Sequence, residues 1–93
     1  MSYVIMGKAK RQIKQLTQEF RRLSDKKPND TLNSFKLELV NSVISEINNL
    51  LNGELPIENF ENFDEAVLPN NSDVLLVLSL YEAELNSNEY DYI

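Results

Sequence analysis

The feature that most limits what this chain can fold into is a run of apolar residues near its start. Met6, Ala9, Ile13, Leu16, Phe20 and Leu23 are separated by 3, 4, 3, 4 and 3 positions. At 3.6 residues per turn an α-helix brings such residues onto one side, whereas a strand would scatter them over both faces. The spacing therefore predicts an amphipathic helix over about 2–25. Lys8, Lys10 and Arg11 would oppose the macrodipole of a helix starting at Lys8, so the start is placed earlier, with Ser2 as N-cap. Gly7 falls on the outer face and costs about 1 kcal/mol relative to alanine. Pro28 stops the helix.

A second helix is predicted over about 31–52, capped from Asn29-Asp30-Thr31 and closed by Gly53. Its apolar positions, from Leu32 and Phe35 through Leu37, Leu39, Val40, Val43, Ile44 and Ile47 to Leu50 and Leu51, cover roughly half the circumference. A stripe that wide touches more than one neighbour, which places this helix at the centre of the fold. Lys36 lies inside the arc and is expected to reach toward Glu46 or to leave the core along its aliphatic stem. The far side carries Ser34, Asn41, Ser45, Asn48 and Asn49, small polar residues that allow close helix approach or hydrogen-bonded docking, and is expected to meet water.

The segment from Glu54 to Asn71 is a connector punctuated by Pro56 and Pro69. It contains a tandem Glu-Asn-Phe, residues 58–63. Pro56 followed by Ile57, Phe60 and Phe63 suggests a short helical turn over about 57–63, its phenylalanines plugging one end of the molecule. Asn70-Asn71-Ser72-Asp73 is a strong cap cluster for a last helix over about 72–87. Val74, Leu78, Tyr81 and Leu85 form one seam of that helix, and Leu76, Leu80 and Ala83 form a second on the opposite side. A buried strand over Val74–Tyr81 is the competing assignment. Leucine outnumbers valine there, and no other segment reads as a strand to pair with it, so helix is preferred. Together these elements predict an all-α protein, a small three- to four-helix bundle forming one domain over 1–93, with a frayed acidic tail at 88–93.

Composition narrows the function classes. The chain has no cysteine and no histidine. Disulfides, thiolate ligands, the commonest zinc ligand and the commonest general base near neutral pH are therefore all missing. Its two glycines are too few to build a phosphate cradle or a nucleophile elbow. A non-enzyme without cofactor, metal or small-molecule ligand is expected. The longest apolar run, Val74 to Leu80, is far short of a membrane span, and Tyr3–Met6 is too short for a signal-peptide core. A cytoplasmic protein that does not bind membranes is the resulting expectation.

Charge is distributed unevenly. Residues 1–27 hold eight of the nine basic residues against Glu19 and Asp25, a local balance of +6; residues 28–93 hold Lys36 against thirteen acids, a balance of −12. Lys8, Arg11, Lys14, Arg21 and Arg22 lie opposite the apolar seam and form the candidate basic contact face. Such a stripe can bind phosphates through counterion release, but the net charge of −6 repels a polyanion. Complementation of acidic surface, within one chain or between two, is the simpler use. The acids Glu58, Glu61, Asp64 and Glu65 lack the spacing and the glycine of a calcium loop. They read as a solubilising segment that anchors two phenylalanines. Leu76, Leu80 and Ala83 are the candidate face for a partner or a second copy, because a terminal helix of a short chain ordinarily needs one apolar side. The function these features imply is a non-catalytic protein–protein interaction or regulatory domain, in partnership with another protein or as a homodimer. The alternative is a nucleic-acid-associated regulator contacting phosphates through the first helix.

Overall fold

The computed structural model describes residues 3–52 and 54–88. These residues form three helices, α1 (Tyr3–Lys26), α2 (Ser34–Leu50) and α3 (Asn71–Asn88), within overall dimensions of 40 × 24 × 21 Å. The Ser2 cap, the closing role of Gly53 and the tail beyond Asn88 lie outside the described residues. The helix preferred over a strand at Val74–Tyr81 is present, and an isolated antiparallel bridge, Thr31 to Asn70, is the extended pairing among the described residues.

The seam predicted for α1 is the seam that is buried. Met6, Ala9, Ile13 and Phe20 are in the core and Leu16 and Leu23 pack against it. Thr17 joins them, fully buried, and its hydroxyl donates to the Ile13 carbonyl at 2.7 Å, so the polar atom is satisfied on its own helix. On α3 the seam of Val74, Leu78, Tyr81 and Leu85 is wholly inaccessible to solvent. The most extensive packing is between α1 and α3, with α2 resting less extensively on each. This corrects the placing of α2 at the centre. Ala9 and Thr17 are small enough to let a neighbouring backbone approach α1 closely, whereas α2 presents Leu37, Val40, Val43, Ile44 and Ile47 to the core and stands further off. Phe35 and Leu39, at the edge of its wide arc, remain 73% and 48% exposed.

The helix ends are set by side chains. Asn33 caps α2, its side chain accepting from the Lys36 N–H at 2.8 Å. Past Leu51 the chain turns through Asn52 at φ 58, where asparagine tolerates the left-handed conformation that ends many helices. Asn70 caps α3, accepting from the Asp73 N–H at 2.8 Å. The remaining exposed donors of that first turn are taken by the α1–α2 loop: the N–H groups of Asn71 and Ser72 donate to the carbonyls of Asp30 and Pro28 at 2.9 and 3.1 Å. Buried Asn71 also donates through Nδ2 to the Lys27 carbonyl at 2.8 Å, closing the end of α1.

These bonds fix the topology. The end of α1 and the starts of α2 and α3 meet at one end of the molecule, so α3 runs antiparallel to α1 and the connector must return along the length of α2. It does so on the asparagine side. Asn48 Nδ2 donates to the Glu61 carbonyl at 2.9 Å, and Asn41 exchanges two bonds with the Phe63 backbone, at 2.9 and 2.8 Å. In two connector residues the chain passes two turns of α2. A helical connector rises about 1.5 Å per residue, less than half the rise of extended chain, and would not keep pace. That is why the short helix predicted over 57–63 is absent and the bundle has three helices. In its place is a β-turn closed by Phe60 N–H to the Ile57 carbonyl at 3.1 Å, with Asn59 at φ 64. The phenylalanines cover the side where α2 meets α3. Phe60 lies edge-on to Phe63, with centroids 5.1 Å apart, and to Tyr81 at 6.5 Å.

Candidate interaction surface

Once α3 has buried its seam against α1 and α2, its opposite side is left facing solvent. Leu76 is 63% and Leu80 46% exposed, and Ala83 is exposed beside them. The three stand at i, i+4 and i+7, so they form one continuous stripe about two turns long. Asp73 precedes Leu76 by three residues and Glu84 follows Leu80 by four, which sets both carboxylates along one flank. Ser72 and Ser79 bound the other flank. The Ser79 hydroxyl donates to its own helix at Leu75, 2.8 Å away, and so adds little polarity outward. Along its whole length α3 carries Asp73, Glu82 and Glu84 and no basic residue.

All five predicted basic residues, Lys8, Arg11, Lys14, Arg21 and Arg22, are exposed on α1. They do not form an isolated cationic strip. Arg22 grips Glu19 one turn before it with both Nε and Nη2. The hydrogen bond from Arg22 holds the Glu19 carboxyl below its usual range, and the same bond raises the guanidinium. Farther along, Arg11 and Lys14 share a shallow depression with Lys10, Glu82 and Asn86. The basic face of α1 thus pairs with one acid of its own helix, Glu19, and lies near one of α3, Glu82.

One feature was weighted toward the wrong alternative, water over hydrogen-bonded docking, and another was not singled out from the sequence. Asn41 and Asn48, placed on a face expected to meet water, are the clamp that holds the connector. Asn48 also accepts from the Tyr81 hydroxyl at 2.8 Å, linking α2, α3 and the connector through one side chain. Their spacing of seven residues on one flank was the available signal. The second is a hollow at the α1–α2 loop lined by Lys26, Lys27, Lys36, Asp30 and Asn71. Lys36 stands exposed there beside Lys26 and Lys27, not reaching toward Glu46 from inside the core.

The acidic connector residues Glu58, Glu61, Asp64 and Glu65 are exposed, with Asp64 Oδ1 accepting from the Ala66 N–H at 2.8 Å. Among the described residues no group of three or more acidic side chains is arranged to hold a metal ion, and no helix is long and apolar enough to cross a membrane. Compared with known protein families, curated proteins and solved structures, the chain matches none.

Proposed function

We propose that this chain is a non-catalytic interaction domain that engages another protein through the outer face of α3. One observation carries the reading: α3 buries a complete seam, Val74 to Leu85, and still presents Leu76 and Leu80 at 63% and 46% exposure on its other side. Scattered exposed leucines are ordinary, but two on adjacent turns with Ala83 below them make a contiguous patch on a rigid element. A helix face of this kind suits packing against a second helix.

The test is a photo-crosslinking residue placed at position 76, with position 15 on the outer face of α1 as control, in cells that make the protein. Crosslinking to a defined protein from 76 and not from 15 is expected. Equal capture from both positions, or from neither, removes the proposal. The nucleic-acid reading is the weaker of the two, because Arg22 is already engaged by Glu19 and the Arg11–Lys14 region shares its depression with Glu82. Filter binding at low ionic strength, where counterion release contributes most, would revive it if DNA or RNA were retained.

A further inference from the structure

Resting on the reading that the α3 face is an interaction surface, we infer that its occupant is a basic amphipathic helix of another protein and not a second copy of this chain. Charge selects the occupant. The stripe of Leu76, Leu80 and Ala83 is flanked by Asp73 and Glu84 and has no base on its own helix. A partner must therefore offer apolar side chains with cations beside them, since like charges facing each other across an interface cost several kcal/mol.

A second copy cannot supply that combination from its described residues. Its exposed large apolar side chains are Phe35, Leu39, Val67, Leu68, Leu76 and Leu80. In an antiparallel pair of α3 helices Asp73 and Glu84 face the same carboxylates, and in a parallel pair they face the Ser72–Ser79 flank; neither arrangement brings a cation to them. Phe35 and Leu39 lie beside Glu38, with Glu46 farther along, and Lys36 is the sole base of α2. Val67 and Leu68 follow Asp64 and Glu65. Most of the bases are on α1, whose exposed positions between Met6 and Lys26 are Lys8, Arg11, Lys14, Gln15, Gln18, Glu19, Arg21, Arg22, Asp25 and Lys26, without one apolar side chain. Among the described residues apolar surface and positive charge thus stand mostly on different elements, and where they meet, at Phe35, Lys36 and Leu39, the single base is accompanied by Glu38. A basic amphipathic helix carries both on adjacent faces: its leucine-type residues cover Leu76 and Leu80 while lysines or arginines along one edge meet Asp73 and Glu84.

The experiment uses the whole protein and a fluorescein-labelled leucine–lysine amphipathic peptide of about 18 residues, the length of α3. A leucine–glutamate peptide of identical apolar pattern is the control. Fluorescence anisotropy should show micromolar binding of the lysine peptide and none of the glutamate peptide. The double variant Leu76→Ser/Leu80→Ser should weaken binding at least tenfold, roughly the loss of two buried leucine contacts. Asp73→Asn/Glu84→Gln should weaken it severalfold and flatten its salt dependence. Leu76 and Leu80 are exposed, so the serine variant should keep the wild-type helical circular dichroism and melting curve. Unchanged affinity in that folded variant, or equal binding of the glutamate peptide, overturns the inference. So does a dimer in sedimentation equilibrium that the serine variant converts to monomer; the second copy is then the occupant and the proposed surface survives. A crosslinked partner at position 76 without any binding of the lysine peptide likewise removes the basic helix and leaves the surface.

Discussion

Gly7 lies in the second turn of α1, where glycine is about 1 kcal/mol worse than alanine because its backbone loses more freedom on folding. A Cβ added there would meet the tip of Arg11, Nη1 at 3.3 Å, a flexible group that can move aside. Gly7→Ala should raise stability by about 0.5–1 kcal/mol, read as a higher urea midpoint with an unchanged slope. Asn41 works in the opposite sense. Its amide makes two bonds to the Phe63 backbone, and Asn41→Ala leaves both partners without a protein ligand, which should cost about 1–3 kcal/mol. Asn49, exposed on the same helix, should change stability by less than about 0.5 kcal/mol when replaced by alanine. Tyr81 provides a pH test. Burial pushes its phenol above the usual 10.0, partly offset by its hydrogen bond to Asn48. A raised acid in the folded state means that the unfolded chain loses its proton first. The stabilising contribution is then full below pH 10 and declines as pH climbs through the folded-state pKa. Tyr81→Phe should remove that part of the alkaline decline in a pH series of urea melts.

At the scale of elements, α3 separates packing from recognition within a single helix. Leu78 is fully buried, whereas Leu76, half a turn away, is 63% exposed. Leu78→Ala should cost about 2–5 kcal/mol, the range for a leucine lost from a close-packed core. Leu76→Ala should stay within about 0.5 kcal/mol of wild type in the same melts, because it removes surface rather than core. The two seams were legible as sequence because each keeps the spacing of three and four, and a helix with apolar residues on both sides must lean on two things or leave one side bare. Leu76, Leu80 and Ala83 were read as the side left for a partner, but what holds the other seam inward was not legible. Both contain leucine, and the choice follows from Tyr81, whose ring reaches Phe60 and whose hydroxyl reaches Asn48. The connector was misread for a related reason. Ile57, Phe60 and Phe63 do keep a helical spacing of three, but a β-turn followed by extended chain also brings them onto the core, and only the distance to be covered along α2 decides between the two.

Taken as a whole, the molecule is held at one end by backbone bonds between the α1–α2 loop and the start of α3, and along one side by asparagines gripping the connector. Its local stability should follow that arrangement. In native-state hydrogen exchange the amides of α1 and α3 should be the slowest, because these helices share the most extensive packing. Connector amides between 54 and 69 should exchange early, except those of half-buried Phe60 and Phe63, which donate to Ile57 and Asn41; the bonded amides of Glu54, Ala66 and Val67 belong to exposed residues. Uniformly fast exchange over the connector would mean that the asparagine clamp does not hold in solution. Charge is arranged on the same scale. The basic helix shares surface with Glu82 of α3, while the apolar stripe of α3 and the bases of α1 stay apart.

The sequence by itself determined the number, kind and approximate limits of the long helices, since apolar periodicity and capping residues act within a few turns and need no partner to be read. It also determined that chemistry resting on cysteine or histidine is closed to this chain. Tertiary structure alone decided that α1 and α3 form the main packed pair, that α2 stands off with Phe35 and Leu39 bare, and that Asn41 and Asn48 face the connector instead of water. These are relations between segments distant along the chain. Each depends on how closely two surfaces approach and on how far a connector must travel, quantities that no local spacing encodes.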